Sequence, residues 1–155
     1  MVITQMSEEE CRAFLASASL GRLGCARDNQ PYVVPIYFAY EPDFVYALST
    51  FGQKNEWMRA NPKVCLTADE IAGQSEWVSV VATGRYQELP EPQFTAEREH
   101  ARTLLEKRSR WWQIALGQRQ LRVGDHLIAP LFFRIHVDSL TGLRATGEPT
   151  EAGKG

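Results

Sequence analysis

The sequence predicts a mainly β fold, an antiparallel barrel with a few helices around it. Three observations carry this. Five or six short stretches read as strands, joined mostly by tight turns. They do not alternate with long helices, as a doubly wound parallel sheet requires. The last of them, Leu131 to Val137, alternates cleanly, with Leu131, Phe133, Ile135 and Val137 facing one way and Phe132, Arg134 and His136 the other. That is the period-2 signature of a strand with one buried face.

The first element is a helix. Ser7 is its N-cap and Glu10 the matching residue of a capping box, with Met6 and Cys11 flanking it as a hydrophobic staple. Cys11, Phe14, Leu15 and Ala18 then give one buried stripe, and Gly21 ends the helix. Arg22 to Arg27 and Pro31 to Tyr40 read as a hairpin around the turn Asp28-Asn29-Gln30. Pro35 interrupts the second of these strands. It cannot donate to a ladder, so its position is an edge, a bulge, or a place where a ligand lies.

Phe44 to Ser49 is a third strand. It breaks at Ser49-Thr50-Phe51-Gly52 and continues as a helix from Gln53 to Ala60, before Asn61-Pro62. Lys63 to Asp69 is a fourth strand, Ile71 to Ser75 a loop, and Trp77 to Leu89 a fifth strand with a bulge or bend at Gly84. Phe94 to Arg108 is a polar helix with a narrow apolar side of Phe94, Ala101, Leu104 and Leu105; Arg102, Lys107, Arg108 and Arg110 are its exposed charge. The chain is expected to be one domain over residues 1–144 with a flexible tail over 145–155.

With 155 residues, 44% of them hydrophobic, the chain is long enough to bury a core as a single domain. A net charge of −2 speaks against nucleic acid held by bulk electrostatics. No apolar run is long enough to span a bilayer, and the start MVITQMSEEE lacks the features of a signal peptide. The expected setting is therefore cytoplasmic, with no membrane partner. Cys11, Cys25 and Cys65 are odd in number, widely spaced and set among apolar residues, which suggests buried reduced thiols. His100, His126 and His136 share no metal spacing and read as surface or structural residues, with His126, in Gly124-Asp125-His126, the one to check first.

The helix starting at Gln53 carries the strongest chemical signal. A helix start has free N–H groups and the positive end of the dipole, so a lysine in its first turn is unfavourable by itself. Lys54 makes sense if an anion sits between it and the helix, and a phosphate would serve.

In order along the chain, Gly21-Arg22-Leu23-Gly24, Pro31 to Ile36, Gly52-Gln53-Lys54 with Asn61-Pro62, and Trp77 to Val80 with Gly84-Arg85 together resemble the pyridoxamine 5′-phosphate oxidase-like FMN-binding split barrels. The nearest branch includes the nitroimidazole-resistance proteins. The resemblance implies a six-stranded antiparallel split barrel forming a homodimer, with FMN at the subunit interface. By position, Val34, Pro35 and Ile36 would lie along the isoalloxazine ring. Ser49 and Thr50 would reach the ribityl chain or phosphate, Gln53 and Lys54 would hold the phosphate, and Ser79 would make a further polar contact. Trp77, with Trp111 or Trp112, would wall the pocket; core or dimer packing is the other reading of the last two.

The strand Val34 to Ala39 has none of the charge that true pyridoxamine phosphate oxidases carry there, so that reaction is not expected. The histidine that some nitroimidazole-resistance relatives place before the glycine-lysine stretch is missing as well. The implied activity is an FMN-dependent oxidoreductase, taking electrons from a reduced nicotinamide to a small organic acceptor; no catalytic acid or base and no metal are required. The alternatives are a non-catalytic flavin carrier or sensor, or a split barrel using a deazaflavin or haem. Haem lacks a histidine in the matched stretches, and a deazaflavin would want more basic residues.

Overall fold

Six strands close into a ring. The computed structural model describes residues 1–108, 121–123, 126–128 and 130–147. In chain order these form β1 (Val2–Gln5), α1 (Glu8–Ser17), β2 (Leu20–Arg27), β3 (Gln30–Glu41), β4 (Phe44–Ser49), α2 (Gln53–Ala60), β5 (Lys63–Gly73), β6 (Glu76–Glu88), α3 (Thr95–Glu106), β7 (Leu121–Val123), β8 (His126–Ile128) and β9 (Leu131–Thr146). The ring runs β9-β4-β3-β2-β5-β6 and returns to β9, antiparallel throughout. β1 is a short extra strand on β9, and β7 and β8 pair separately.

The expected six-stranded barrel is thus present, and the strand positions follow the expected ones closely. Leu23, Phe38, Leu66, Val80, Phe133 and Ile135 fill its interior. The capping box of α1 forms, with Glu10 N–H donating to Ser7 Oγ at 3.1 Å and Ser7 N–H to the Glu10 carboxylate at 2.7 Å. Its Cys11 and Leu15 enter the core. At the first hairpin, Asp28 and Asn29 take φ of 50° and 64°, as a two-residue type I′ loop demands.

Several expectations need correction. Gly21 does not end α1, which stops at Ser17; it lies inside β2, where a Cβ would come within 2.9 Å of Leu66 Cδ1 and the Thr67 carbonyl. Residues 71 to 73 continue β5 instead of forming a loop. β9 runs past Arg144 to Thr146, and Ala145 is buried between β1 and β6. β9 is also not one-faced: Phe132 points away from the barrel and is buried under α3 with Ala39, Tyr46, Leu89 and Leu105, a second core. Cys65 is exposed, because its outward position on β5 has nothing packed over it.

Gly84 marks the expected irregularity. The β6–β9 register shifts there, and a Cβ would overlap the His136 carbonyl. No helix among the described residues is long and apolar enough to cross a membrane.

Candidate functional site

β3 serves two neighbours in turn, and the change of partner opens the site. Up to Tyr37 it pairs with β2; from Phe38 onward it pairs with β4, Phe38 opposite Ala47. Carried two residues further, that register would set Ile36 level with Ser49, but no pair forms there. The barrel is split at this point. The Phe38 N–H donates to the Ser19 carbonyl, toward β2. Strand alternation then turns the backbone of residue 35 to the opposite edge, where no strand is bonded. Pro35 therefore breaks no ladder bond: it is an edge proline, and its pairing with Arg22 continues without a bulge.

α2 lies across this opening. Its far end is tied to the first hairpin: Asn61 Nδ2 donates to the Ala26 carbonyl at 3.1 Å, Arg27 pairs with Glu56 at 3.5 Å, and the Trp57 and Tyr32 rings sit 5.6 Å apart. Its near end starts at Gly52, in extended backbone, directly after the parted end of β4. The split thus leaves Val34, Pro35 and Ile36 on a stretch of β3 that β4 does not pair, while Ser49, Thr50, Gln53 and Lys54 follow the parted end of β4.

A side chain that the sequence reading passed over organises the helix start. Asn55 is completely buried, the only buried polar side chain among the described residues. Its Oδ1 accepts from Gly52 N–H at 3.2 Å, and its Nδ2 donates to Ser49 Oγ at 3.4 Å and to the Tyr86 hydroxyl at 3.3 Å. Tyr86 donates to Glu88 Oε1 at 2.8 Å, and Arg59 grips the same carboxylate from Nε and Nη2 at 2.5 and 2.9 Å. Burial raises the Tyr86 phenol far above its ordinary range, so it stays a neutral donor. The network locks the β4–α2 turn and leaves the Ser49 hydroxyl proton free to point elsewhere. The third helical position after Gly52 was the available clue, since an asparagine there can reach back to the cap.

Lys54 is half-buried, and among the described residues it has no hydrogen bond or ion pair. Burial lowers its ammonium below the ordinary lysine range, an effect partly offset by the Cys25 sulfur. Burial raises the Cys25 thiol, so at neutral pH it supplies no countercharge. A half-desolvated cation at the positive end of a helix is a place for an anion. Gln53 beside it is exposed, and Thr50 half-buried.

Trp77 and Ser79 are elsewhere. From Pro35 the sheet steps through Arg22 and Thr67 to Val81, so β6 lies three strands round the closed ring. Ser79 borders a hollow of about 410 Å³ with Gln5, Val81, Thr141 and Leu143, and Trp77 another of about 250 Å³ with Phe14, Val78 and Arg144. Lys54 lines neither hollow. Trp111 and Trp112, and the side chain of His126, lie outside the described residues. His100 meets Glu41 at 2.5 Å and His136 stacks on Phe44. Among the described residues no group of His, Cys, Asp or Glu could hold a metal.

A groove of about 650 Å³ lies on the outer face, bounded by Gly24 to Ala26, Pro31 to Val33, Lys63 to Cys65, Thr83 to Arg85, and Asp138. It adjoins the cleft through Cys25, whose sulfur interacts with Lys54.

Comparison with known proteins agrees with this geometry. Residues 7–144 match the family model described as pyridoxamine 5′-phosphate oxidase. An uncharacterised protein of Rhizobium meliloti is 44% identical over 146 residues, 94% of this chain and 97% of its own length. The structure of a FAD-binding protein from Mesorhizobium loti is 39% identical with a TM-score of 0.77, covering 94% of this chain and all (100%) of that one. A candidate 5-nitroimidazole antibiotic resistance protein from Bacteroides thetaiotaomicron shares the fold at 21% identity and a TM-score of 0.65, covering 95% of this chain and 93% of its own. Ring closure, the β3–β4 split and a family match over residues 7–144 lead to one conclusion: this chain belongs to the pyridoxamine 5′-phosphate oxidase-like family.

Proposed function

We propose that the protein is an FMN-dependent oxidoreductase that passes electrons from a reduced nicotinamide to a small organic acceptor. The observation that carries the reading is Lys54, half-buried in the first turn of α2 and lacking a carboxylate partner among the described residues. The donor set there fits a phosphate monoester: an ammonium, the free N–H groups of the helix start, and the hydroxyls of Ser49 and Thr50. The open edge of β3 fits a flavin ring, which wants a flat apolar border with a few backbone groups. The relative from Mesorhizobium loti described as FAD-binding supports a flavin in general, and FMN is the form whose single phosphate this cradle suits.

When bound, the flavin supplies the two-electron chemistry. The chain's part is to hold and orient it. Lys54 and the α2 start anchor the phosphate, Asn55 keeps the β4–α2 turn in shape, and Val34, Pro35 and Ile36 border the ring. We infer further that the site is completed in a homodimer, with Trp77 and Ser79 of a second copy closing over the ring. That Lys54 lines neither of the hollows beside them supports this, as do the exposed Ile3, Leu143 and Ile71.

The test is a visible spectrum of the purified protein, followed by release and chromatography of the chromophore. A colourless protein that takes up no flavin overturns the reading; released FAD overturns the mononucleotide assignment alone. Anaerobic mixing with NADH or NADPH should bleach the flavin, and a flavin left oxidised by both would favour the carrier.

A further inference from the structure

We propose that the outer-face groove beside the cleft is a subsite for a phosphate ester, the anionic end of a co-substrate. The argument starts from register. Lys63 on β5 and Arg85 on β6 are directly opposed in the ladder. Opposed residues point to the same face with their Cβ atoms about 5 Å apart, and like charges in that arrangement destabilise the sheet. Both line the groove. Lys63 has no ion pair among the described residues. Arg85 meets Asp138 at 3.5 Å, with both side chains well exposed (63% and 45%), an arrangement worth little in water. Two cations therefore share one end of the groove with one carboxylate, at a standing cost that a bound dianion would reverse.

The remainder of the groove suits the organic part of such a molecule. Its floor is small and apolar: Gly24, Ala26, Val64 and Gly84. A Cβ at position 24 would press to 2.9 Å from Cys65 Sγ, so the glycine keeps the floor low. Pro31, Tyr32 and Val33 form the wall, and Val33 is 63% exposed with nothing over it. The volume of about 650 Å³ is in the range of small-molecule sites. Cys25 lines the groove and lies near Lys54, so a molecule anchored at Lys63 and Arg85 lies beside the proposed flavin site. That the anchored molecule is the electron donor rests on the reading given under Proposed function; the phosphate subsite does not.

The test titrates the full-length protein, carrying whatever flavin it holds, with inorganic pyrophosphate and separately with NADPH, by calorimetry. Wild type is compared with Lys63→Gln/Arg85→Gln and with Lys63→Glu. Pyrophosphate should bind the wild type and bind both variants at least tenfold more weakly. Without any probe, Lys63→Glu should melt above wild type, because it turns a repulsion into an ion pair. A parallel tenfold loss for NADPH identifies the donor as the source of the phosphate; NADPH unchanged while pyrophosphate is lost assigns the subsite to a phosphorylated acceptor. No pyrophosphate binding by wild type, or equal binding by all three within twofold, overturns the proposal. A protein that binds pyrophosphate in this way but no flavin would refute the flavin reading and leave the subsite standing.

Discussion

The Asn55 amide donates to the Tyr86 hydroxyl at 3.3 Å, joining the first turn of α2 to the wall of the barrel. With Gly52 N–H and Ser49 Oγ on its other contacts, Asn55 has no water to fall back on. Replacing it with alanine strands buried partners. Asn55→Ala is expected to lower unfolding free energy by about 1–3 kcal/mol, whereas Tyr86→Phe, which leaves the asparagine two partners, should cost about 1 kcal/mol. Urea denaturation of both variants measures the difference; equal, negligible effects would mean that the network is incidental.

Lys54→Ala should separate binding from stability. Loss of a charge-assisted hydrogen bond should weaken FMN by about 1.5–3 kcal/mol in a fluorescence titration, while the flavin-free protein should be no less stable. Affinity unchanged within a factor of two would place the phosphate elsewhere.

Lys54 also has a pH signature. Its folded pKa lies below the unfolded value of 10.5. Holding the proton therefore costs the folded state, fully below the folded pKa and not at all above the unfolded one. Flavin-free wild type should gain stability relative to Lys54→Met as pH rises toward 10.5, and bound FMN should flatten the trend. A constant gap across that range would show that the ammonium is not desolvated.

Glu88 gives a slope of the same sign, in the acid range. Burial pushes its carboxyl up, but hydrogen bonds from Arg59 and Tyr86 outweigh burial and hold it below the ordinary 4.5. Its contribution is present above pH 4.5 and is lost as pH falls through the lower folded value. Acid titration of stability should be shallower in Glu88→Gln than in wild type.

A further substitution tests assembly. Leu143 is 43% exposed, on the same outer face as Ser79, its partner in the β6–β9 ladder. Leu143→Arg should shift the sedimentation coefficient from dimer to monomer and release flavin. A monomeric wild type would refute the shared site.

Much of the barrel was legible because its punctuation is chemical. Gly52 and Asn61-Pro62 bound α2, and Asp28-Asn29 fixes the first hairpin. β1 was hidden because all four of its residues are exposed and show no burial alternation. Phe132 misled because α3, remote in sequence, covers its face. The features behind the candidate site were readable: Lys54 lies in the first turn of α2, Ser49 and Thr50 precede it, and Pro35 sits on the stretch of β3 that β4 leaves unpaired. Asn55 was not, because burial of one amide inside the polar run Gln53-Lys54-Asn55-Glu56 leaves no periodic trace. Trp77 and Ser79 carry no local signal of a cofactor contact; their relation to Lys54 rests on the proposed dimer.

The pairing of β1 with the end of β9, Val2 opposite Thr146 and Gln5 opposite Leu143, sets the first and last strands of the barrel about one strand spacing apart. A short glycine-serine bridge could join them, and new ends could be cut at the exposed Asp28-Asn29 loop. Such a circular permutant would keep every strand pair of the ring. It would also turn β2 and β3 from a hairpin into separate terminal strands. Comparing its flavin affinity with the parent's would tell whether the cleft needs that hairpin as a covalent unit or only its two strands in place.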